Sequence, residues 1–249
     1  MGSDSAATYG ADGRFTIGQQ FIEKAHKVND NLLFSTTGAI GMSQLIGDKL
    51  KELWNKKQLG GGSTPEAVMD IIGKSFVNMI GPYLQTAQIQ RTLVGDASSS
   101  LCKSLVGITV SDQPCLFQFD YNGAPERCTD QLPFVSLGSG QQIADPFLAF
   151  LRRLLWESEL ATLAEGRLAA IWTISHVLKS NPYALGIGGE IQITTLGKNS
   201  SSRYTVAQLS RDDIQEHLQK ILAAENALVN EAKGVSTATP ANPPAPPAQ

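Results

Sequence analysis

The residues able to carry chemistry in this chain fall into two sets. The first is the usual source of metal sites and nucleophilic triads: three histidines, His26, His176 and His217, and three cysteines, Cys102, Cys115 and Cys128. The cysteines are odd in number and none stand at C-x-x-C spacing, so neither a zinc site nor a disulfide framework is expected. His176 shares an apolar helical stripe with Ile171, Trp172 and Val177 and reads as a core histidine. His217 reads as solvent-facing, nothing near His26 completes a triad, and the cysteines read as reduced packing residues. The second set is polar and dispersed: Asp4 in Ser3-Asp4-Ser5-Ala6-Ala7-Thr8, Lys24 twenty residues on, Gly38 in Thr36-Thr37-Gly38-Ala39, and Ser139 in Gly138-Ser139-Gly140. Taken singly, Asp4 suits a turn, Lys24 beside Glu23 an exposed strand position, and Ser139 a helix cap.

Composition limits what these residues can mean. With 249 residues, 42% hydrophobic and 17% charged, the chain can bury a full-sized core, and one domain is the expectation. Twenty basic against 23 acidic residues leave a formal charge of -3, so no basic field draws nucleic acid or an anionic membrane. No apolar stretch approaches the roughly 18 to 20 residues that span a bilayer, and no basic region precedes an apolar block at the start. The expectation is a cytoplasmic protein without membrane or nucleic-acid partners. No phosphate-binding glycine loop joins a strand to a helix, and no cofactor or metal is expected.

The elements that must position the polar set follow from pattern. Phe15–Ile17, Ala25–Val28 and Asn31–Thr37 read as strands, the last ended by Gly38. From Ala39 to Lys57 the spacing of Ile40, Met42, Leu45, Ile46, Leu50, Leu53 and Trp54 predicts a helix. Ser63 or Thr64 before Pro65 and Glu66 opens a second helix, expected to run to about Ile80. Leu101–Val110 and Cys115–Phe119 read as strands, with Asp120-Tyr121-Asn122-Gly123 as a hairpin turn. A helix follows Gly138-Ser139-Gly140 and another spans Glu159–Lys179, with a break at Asn181-Pro182. Glu190–Leu196 and Arg203–Val206 read as a hairpin, and Ser210-Arg211-Asp212-Asp213 opens a last helix to about Ala232. Residues 234–249, rich in Ala and Pro, read as a disordered tail after one domain of residues 1–233. Alternating strand and helix pairs of this kind argue for an α+β layered architecture.

The order and spacing of these motifs resemble the proteasome β-subunit family and its bacterial relatives, the N-terminal-nucleophile hydrolases. Ser3-Asp4-Ser5-Ala6-Ala7-Thr8 is similar to the family's Ala-Asp-Ser-Arg-Ala-Thr motif, Lys24 falls on its lysine, Asn29–Gly38 matches the strand to its oxyanion glycine, and Gly138-Ser139-Gly140 matches its Gly-Ser-Gly. The resemblance implies a four-layer α/β/β/α sandwich of two antiparallel sheets flanked by helices. It also implies a threonine-type peptidase chemistry, in which an N-terminal hydroxyl attacks and its own α-amine accepts the proton. By the same resemblance Asp4 and Lys24 would pair as fixed charge, the Gly38 amide would stabilise an oxyanion, and Ser139 would donate beside the terminal amine. An extended peptide or protein substrate would add as a strand, with backbone partners from Thr8 and Gly38. Homo-oligomerisation is implied too.

The sequence departs from that pattern in places. The family's nucleophile opens a strand about fifteen residues before the aspartate motif, whereas only Met1, Gly2 and Ser3 stand there, so the first strand is expected to be missing and the chain as given inactive. The family's Asp-x-x-Ser-Gly-Gly segment corresponds to Ala184-Leu185-Gly186-Ile187-Gly188-Gly189, with Ala184 and Ile187 in place of Asp and Ser. Tyr9–Phe15 is longer than the family's turn, and Ala6 replaces an arginine. A divergent member is expected, either an amide hydrolase subunit or a non-catalytic scaffold or interaction subunit.

Overall fold

A computed structural model describes residues 1–9, 18–60, 62–94, 101–156, 161–180 and 187–234. The anticipated strand at Phe15–Ile17, the break at Asn181-Pro182, Ala184 and the tail beyond Gly234 lie outside the described residues. The elements run β1 (Gly2–Asp4), β2 (Ala6–Tyr9), β3 (Gly18–Phe21), β4 (Ala25–Asn29), β5 (Leu32–Gly38), α1 (Ile40–Asn55), α2 (Pro65–Val94), β6 (Cys102–Val110), β7 (Gln113–Phe119) and β8 (Pro125–Arg127). They continue with α3 (Gln141–Leu155), α4 (Leu163–Ser180), β9 (Ile191–Lys198), β10 (Tyr204–Gln208) and α5 (Arg211–Ala232).

Two antiparallel sheets organise the chain, β4-β5-β6-β7-β8 and β1-β9-β10, with β2 and β3 forming a separate hairpin. The alternation of a strand decides which face each residue serves. In β5 and β6, Leu32, Phe34, Val106 and Ile108 point into one core with Ile46 and Leu50 of α1 and Ile72 and Phe76 of α2. Gly47 lets α1 close on the sheet, because a Cβ there would stand 2.7 Å from Phe34 Cζ. A second core holds Leu151 of α3, Ile171 and Trp172 of α4, Ile193 of β9 and Ile214 and Ile221 of α5. Each sheet therefore carries its own helices.

Local signals explain the ends. Asp120-Tyr121-Asn122-Gly123 is the turn into β8: Asp120 N–H donates to Ala124 O, and Gly123 takes φ +81°. Ser210 and Asp213 form a reciprocal capping box at the start of α5. Helix α2 corrects the sequence reading, which stopped it near Ile80. It passes Pro82 and continues to Val94.

The expectation of a missing first strand is also corrected here. Gly2–Asp4 form a strand antiparallel to β9, with Gly2 opposite Ile193 and Asp4 opposite Ile191. The ladder reaches residue 1: Met1 N donates to Thr194 O at 2.7 Å, and Thr194 N donates to Met1 O at 2.8 Å. Ser3 and Asp4 of the polar Ser-Asp-Ser run are strand rather than turn, because β9 offers its edge to them.

Candidate active site

Asp4 ends β1, and Lys24 ends the three-residue stretch Ile22–Lys24 that links β3 to β4. They meet at the rim of the sheets: Lys24 Nζ donates to Asp4 Oδ1 at 2.6 Å, with side chains 20% and 17% exposed. The other carboxylate oxygen accepts the Gly188 N–H at 2.9 Å and the Ala6 N–H at 3.3 Å. An anion held by one ammonium and two amides is fixed in position, so the pair is a rigid arrangement of charge.

Gly38 lies at the end of β5, and the ladder decides where its amide points. Ala39 N–H donates to Leu101 O and Thr109 N–H to Asn31 O, so odd-numbered residues of β5 bond β6 and even-numbered ones face the other way. On that side β4 has ended at Ala25, opposite Ser35. The Gly38 N–H thus faces away from β6, on the β4 side and past the last pair of that ladder, Ala25 opposite Ser35. Gly38 itself is required by φ +121° and by Cys102 Cα, which would stand 2.8 Å from a Cβ.

Ser139 is brought to the same place. Gly138, at φ +101°, would put a Cβ 3.3 Å from Thr37 Oγ1, and a Cβ on Gly140 would stand 2.8 Å from Val177 Cγ1. The loop is thereby wedged between β5 and α4. Gly140, not Ser139, caps α3, and it has no side-chain cap bond, so the capping role the sequence allowed for Ser139 is not taken. Ser136 Oγ donates to Asp145 Oδ1 at 2.5 Å and steadies the loop from below. Thr8 pairs with Gln19 in the β2–β3 hairpin.

Asp4, Lys24, Gly38 and Ser139 line one cavity of about 1050 Å³. Inward it is bounded by Leu33 and Leu105 of the five-stranded sheet and by Ile193 of β9 and Ile174 of α4. Ile187 also lines it, close to Gly140. Among the described residues no other donor or acceptor bonds Lys24 Nζ. The Met1 amine sits about 10 Å up β1 from Asp4, at roughly 3.3 Å per residue; burial lowers its pKa to about 6. No group of three or more His, Cys, Asp or Glu side chains is placed to hold a metal among the described residues.

The remaining candidates behave as packing or surface groups. His176 stacks on Phe147 with ring centroids 4.2 Å apart, and His217, expected to face solvent, is half-buried on α5 with its Nδ1 2.7 Å from Asp213 O. Burial pushes the Cys102 thiol up to about 12 and the Cys128 thiol, also beside Glu126, to about 11. Sequence reasoning missed two groups that hold the pair in place. Ser5 Oγ accepts the Glu190 N–H at 2.8 Å, and the Gln192 side chain bonds both Ile22 O and Lys24 N–H. A serine next to Asp4 was visible, but the partners lie more than 160 residues away.

No protein-family model matches the chain, and no curated protein matches it in sequence. Solved structures match its fold. Anbu (ancestral beta-subunit) from Yersinia bercovieri superposes with a TM-score of 0.62 at 13% identity, covering 96% of this chain and 94% of that one. The helical assembly of the Anbu complex from Pseudomonas aeruginosa gives 0.62 at 16% identity, with 96% and 93% covered. The Anbu Gly-1 mutant from Hyphomicrobium sp. strain MC1 gives 0.59 at 15%, with 92% and 90% covered. The chain therefore has the fold of these ancestral beta-subunits along nearly their whole length. This coverage, with β1 in place on β9, overturns the expectation of a member lacking its first strand. Among the described residues no helix is long and apolar enough to cross a membrane.

Proposed function

We propose that this chain is a proteasome-like subunit of N-terminal-nucleophile hydrolase type, related to threonine-type endopeptidases, which assembles with copies of itself and receives an extended peptide or protein segment. The observation that carries the reading is the Asp4–Lys24 pair at 2.6 Å in the same cavity as Gly38 and Ser139. In this reading residues 1–233 are one four-layer α/β/β/α domain. Asp4 and Lys24 supply fixed charge, the Gly38 N–H receives the developing oxyanion, Ser139 donates beside it, and the backbone of Thr8 and Gly38 pairs with the peptide. The helical assembly formed by the Pseudomonas aeruginosa relative supports a homo-oligomer. The net charge of -3 supports a protein rather than a nucleic-acid partner, and the reading places it in the cytoplasm without a metal or cofactor.

The chain of this sequence is proposed to be inactive by itself. An attacking hydroxyl or thiol would need to stand within about 3 Å of both its base and Lys24, and the described residues put no such group against Lys24 Nζ. A second reading, a non-catalytic scaffold or interaction subunit, draws support from Ile187, an apolar side chain in the cavity where the family pattern has a serine.

Native mass spectrometry combined with a panel of fluorogenic peptides tests both halves. The expected result is a homo-oligomer without turnover. A monomer at micromolar concentration would overturn the assembly, and turnover abolished by Lys24→Ala would overturn the inactivity while keeping the site.

A further inference from the structure

The stretch Ile22–Lys24 lies between β3 and β4 and belongs to no ladder, yet it carries the lysine of the site. Its backbone groups must be bonded by something else. Ile22 N–H donates to Ser5 O at 2.9 Å. Among the described residues, two more bonds come from one side chain: Gln192 Nε2 donates to Ile22 O at 3.1 Å, and Lys24 N–H donates to Gln192 Oε1 at 3.2 Å. Bonding the C=O of one residue and the N–H two residues on is what a parallel strand neighbour does, so the Gln192 amide replaces a missing strand. The amide's orientation is fixed by chemistry, since a carbonyl only accepts and an N–H only donates.

Gln192 is on β9, and its main chain faces Ser3 of β1, one residue from Asp4. The same strand thus holds Asp4 through its ladder and Lys24 through a side chain. We propose that Gln192 is a positioning residue that sets the Asp4–Lys24 geometry by clamping the backbone on which Lys24 sits. Glutamate cannot replace it, because a carboxylate lacks the donor for Ile22 O, and asparagine is one methylene too short. The inference rests on the reading of Asp4 and Lys24 as a fixed charge pair.

Competitive labelling of lysines with an acetylating reagent, read site by site by mass spectrometry, tests it in the whole protein alongside hydrogen exchange of the Lys24 amide. Asp4→Asn tests the underlying pair: Lys24 labelling should rise while exchange of its amide stays as in the wild type. Gln192→Leu should raise Lys24 labelling about fivefold and speed its amide exchange by a similar factor, the worth of about one hydrogen bond. Exposed Lys74 and Lys220 should label as before in both variants. Gln192→Glu, which keeps the acceptor for Lys24 N–H but lacks the donor for Ile22 O, should slow the amide exchange relative to Gln192→Leu without restoring the wild-type rate. If Asp4→Asn leaves Lys24 labelling unchanged, the pair itself is refuted. If Asp4→Asn raises it but Gln192→Leu does not, only the positioning role falls. If every lysine labels faster in Gln192→Leu, the residue is a general structural support and the proposal is overturned.

Discussion

Replacing Asp4 by Asn keeps the shape of the side chain and removes its charge. The carboxylate takes Lys24 Nζ on Oδ1 and the N–H groups of Gly188 and Ala6 on Oδ2. An amide has only one acceptor end. Turned towards the two backbone donors it sets an NH2 against the Lys24 ammonium; turned the other way it sets the NH2 against the donors. Either way a charge-assisted bond worth about 1.5–3 kcal/mol is lost and one donor is left facing another. Because the side chains are 20% and 17% exposed, solvent screens part of this, and about 2–3 kcal/mol is the expected loss, short of the roughly 3–5 kcal/mol for breaking a fully buried pair. For a chain of this size that is a fall of about 5–10 °C in Tm. Urea unfolding at low and at 1 M salt measures it, and a double-mutant cycle with Lys24→Met should return a coupling of about 1–2 kcal/mol. A loss below about 0.5 kcal/mol that vanishes in 1 M salt would mean an ordinary surface ion pair, and the reasoning about a rigid charged floor would be refuted.

Gly38→Ala must fit a Cβ against Cys102 Cα at φ +121°, so urea unfolding should report a destabilisation of about 2 kcal/mol or more; an unchanged midpoint would contradict the geometry. Cys102, pushed up to about 12 by burial, holds roughly one thiolate in ten thousand at pH 8, so iodoacetamide should leave it unlabelled in the folded protein and label it in urea, read by peptide mass. Glu52 is held down to about 2 by hydrogen bonds from Lys49 and then Lys56, below its ordinary 4.5. A carboxylate depressed in the folded state stabilises above pH 4.5 and loses that contribution as pH falls towards 2. Glu52→Gln should therefore lower the urea midpoint at pH 7 and match the wild type near pH 2.

Much of the fold was legible because its signals are local. Met42, Ile46, Leu50 and Leu53 follow a helical stripe and are all buried in α1, and the Ser210–Asp213 box opens α5 where its residues said it would. Helix α2 outruns its expected end near Ile80. In the structure α2 is buried at Val68, Ile72, Phe76 and Ile80, exposed at Tyr83 and Ile89, and continues through Pro82. Asp4, Lys24, Gly38 and Ser139 were singled out through the family resemblance, and the structure brings all four to one cavity. The Gln192 clamp was not, since contacts across 168 and 170 residues leave no spacing to read. Nor could composition reveal that Gly2–Asp4 would find β9, which requires the sheet to exist first.

The claim at the centre of this account is that the Gly38 amide and the Asp4–Lys24 pair form a receiving site for an extended peptide. A crystal structure of the protein with a short extended peptide amide tests it most directly. The peptide should lie as an added strand against the backbone of Thr8 and Gly38, with a carbonyl oxygen about 3 Å from the Gly38 N–H. A peptide bound elsewhere, with the Gly38 N–H left unengaged, would contradict it.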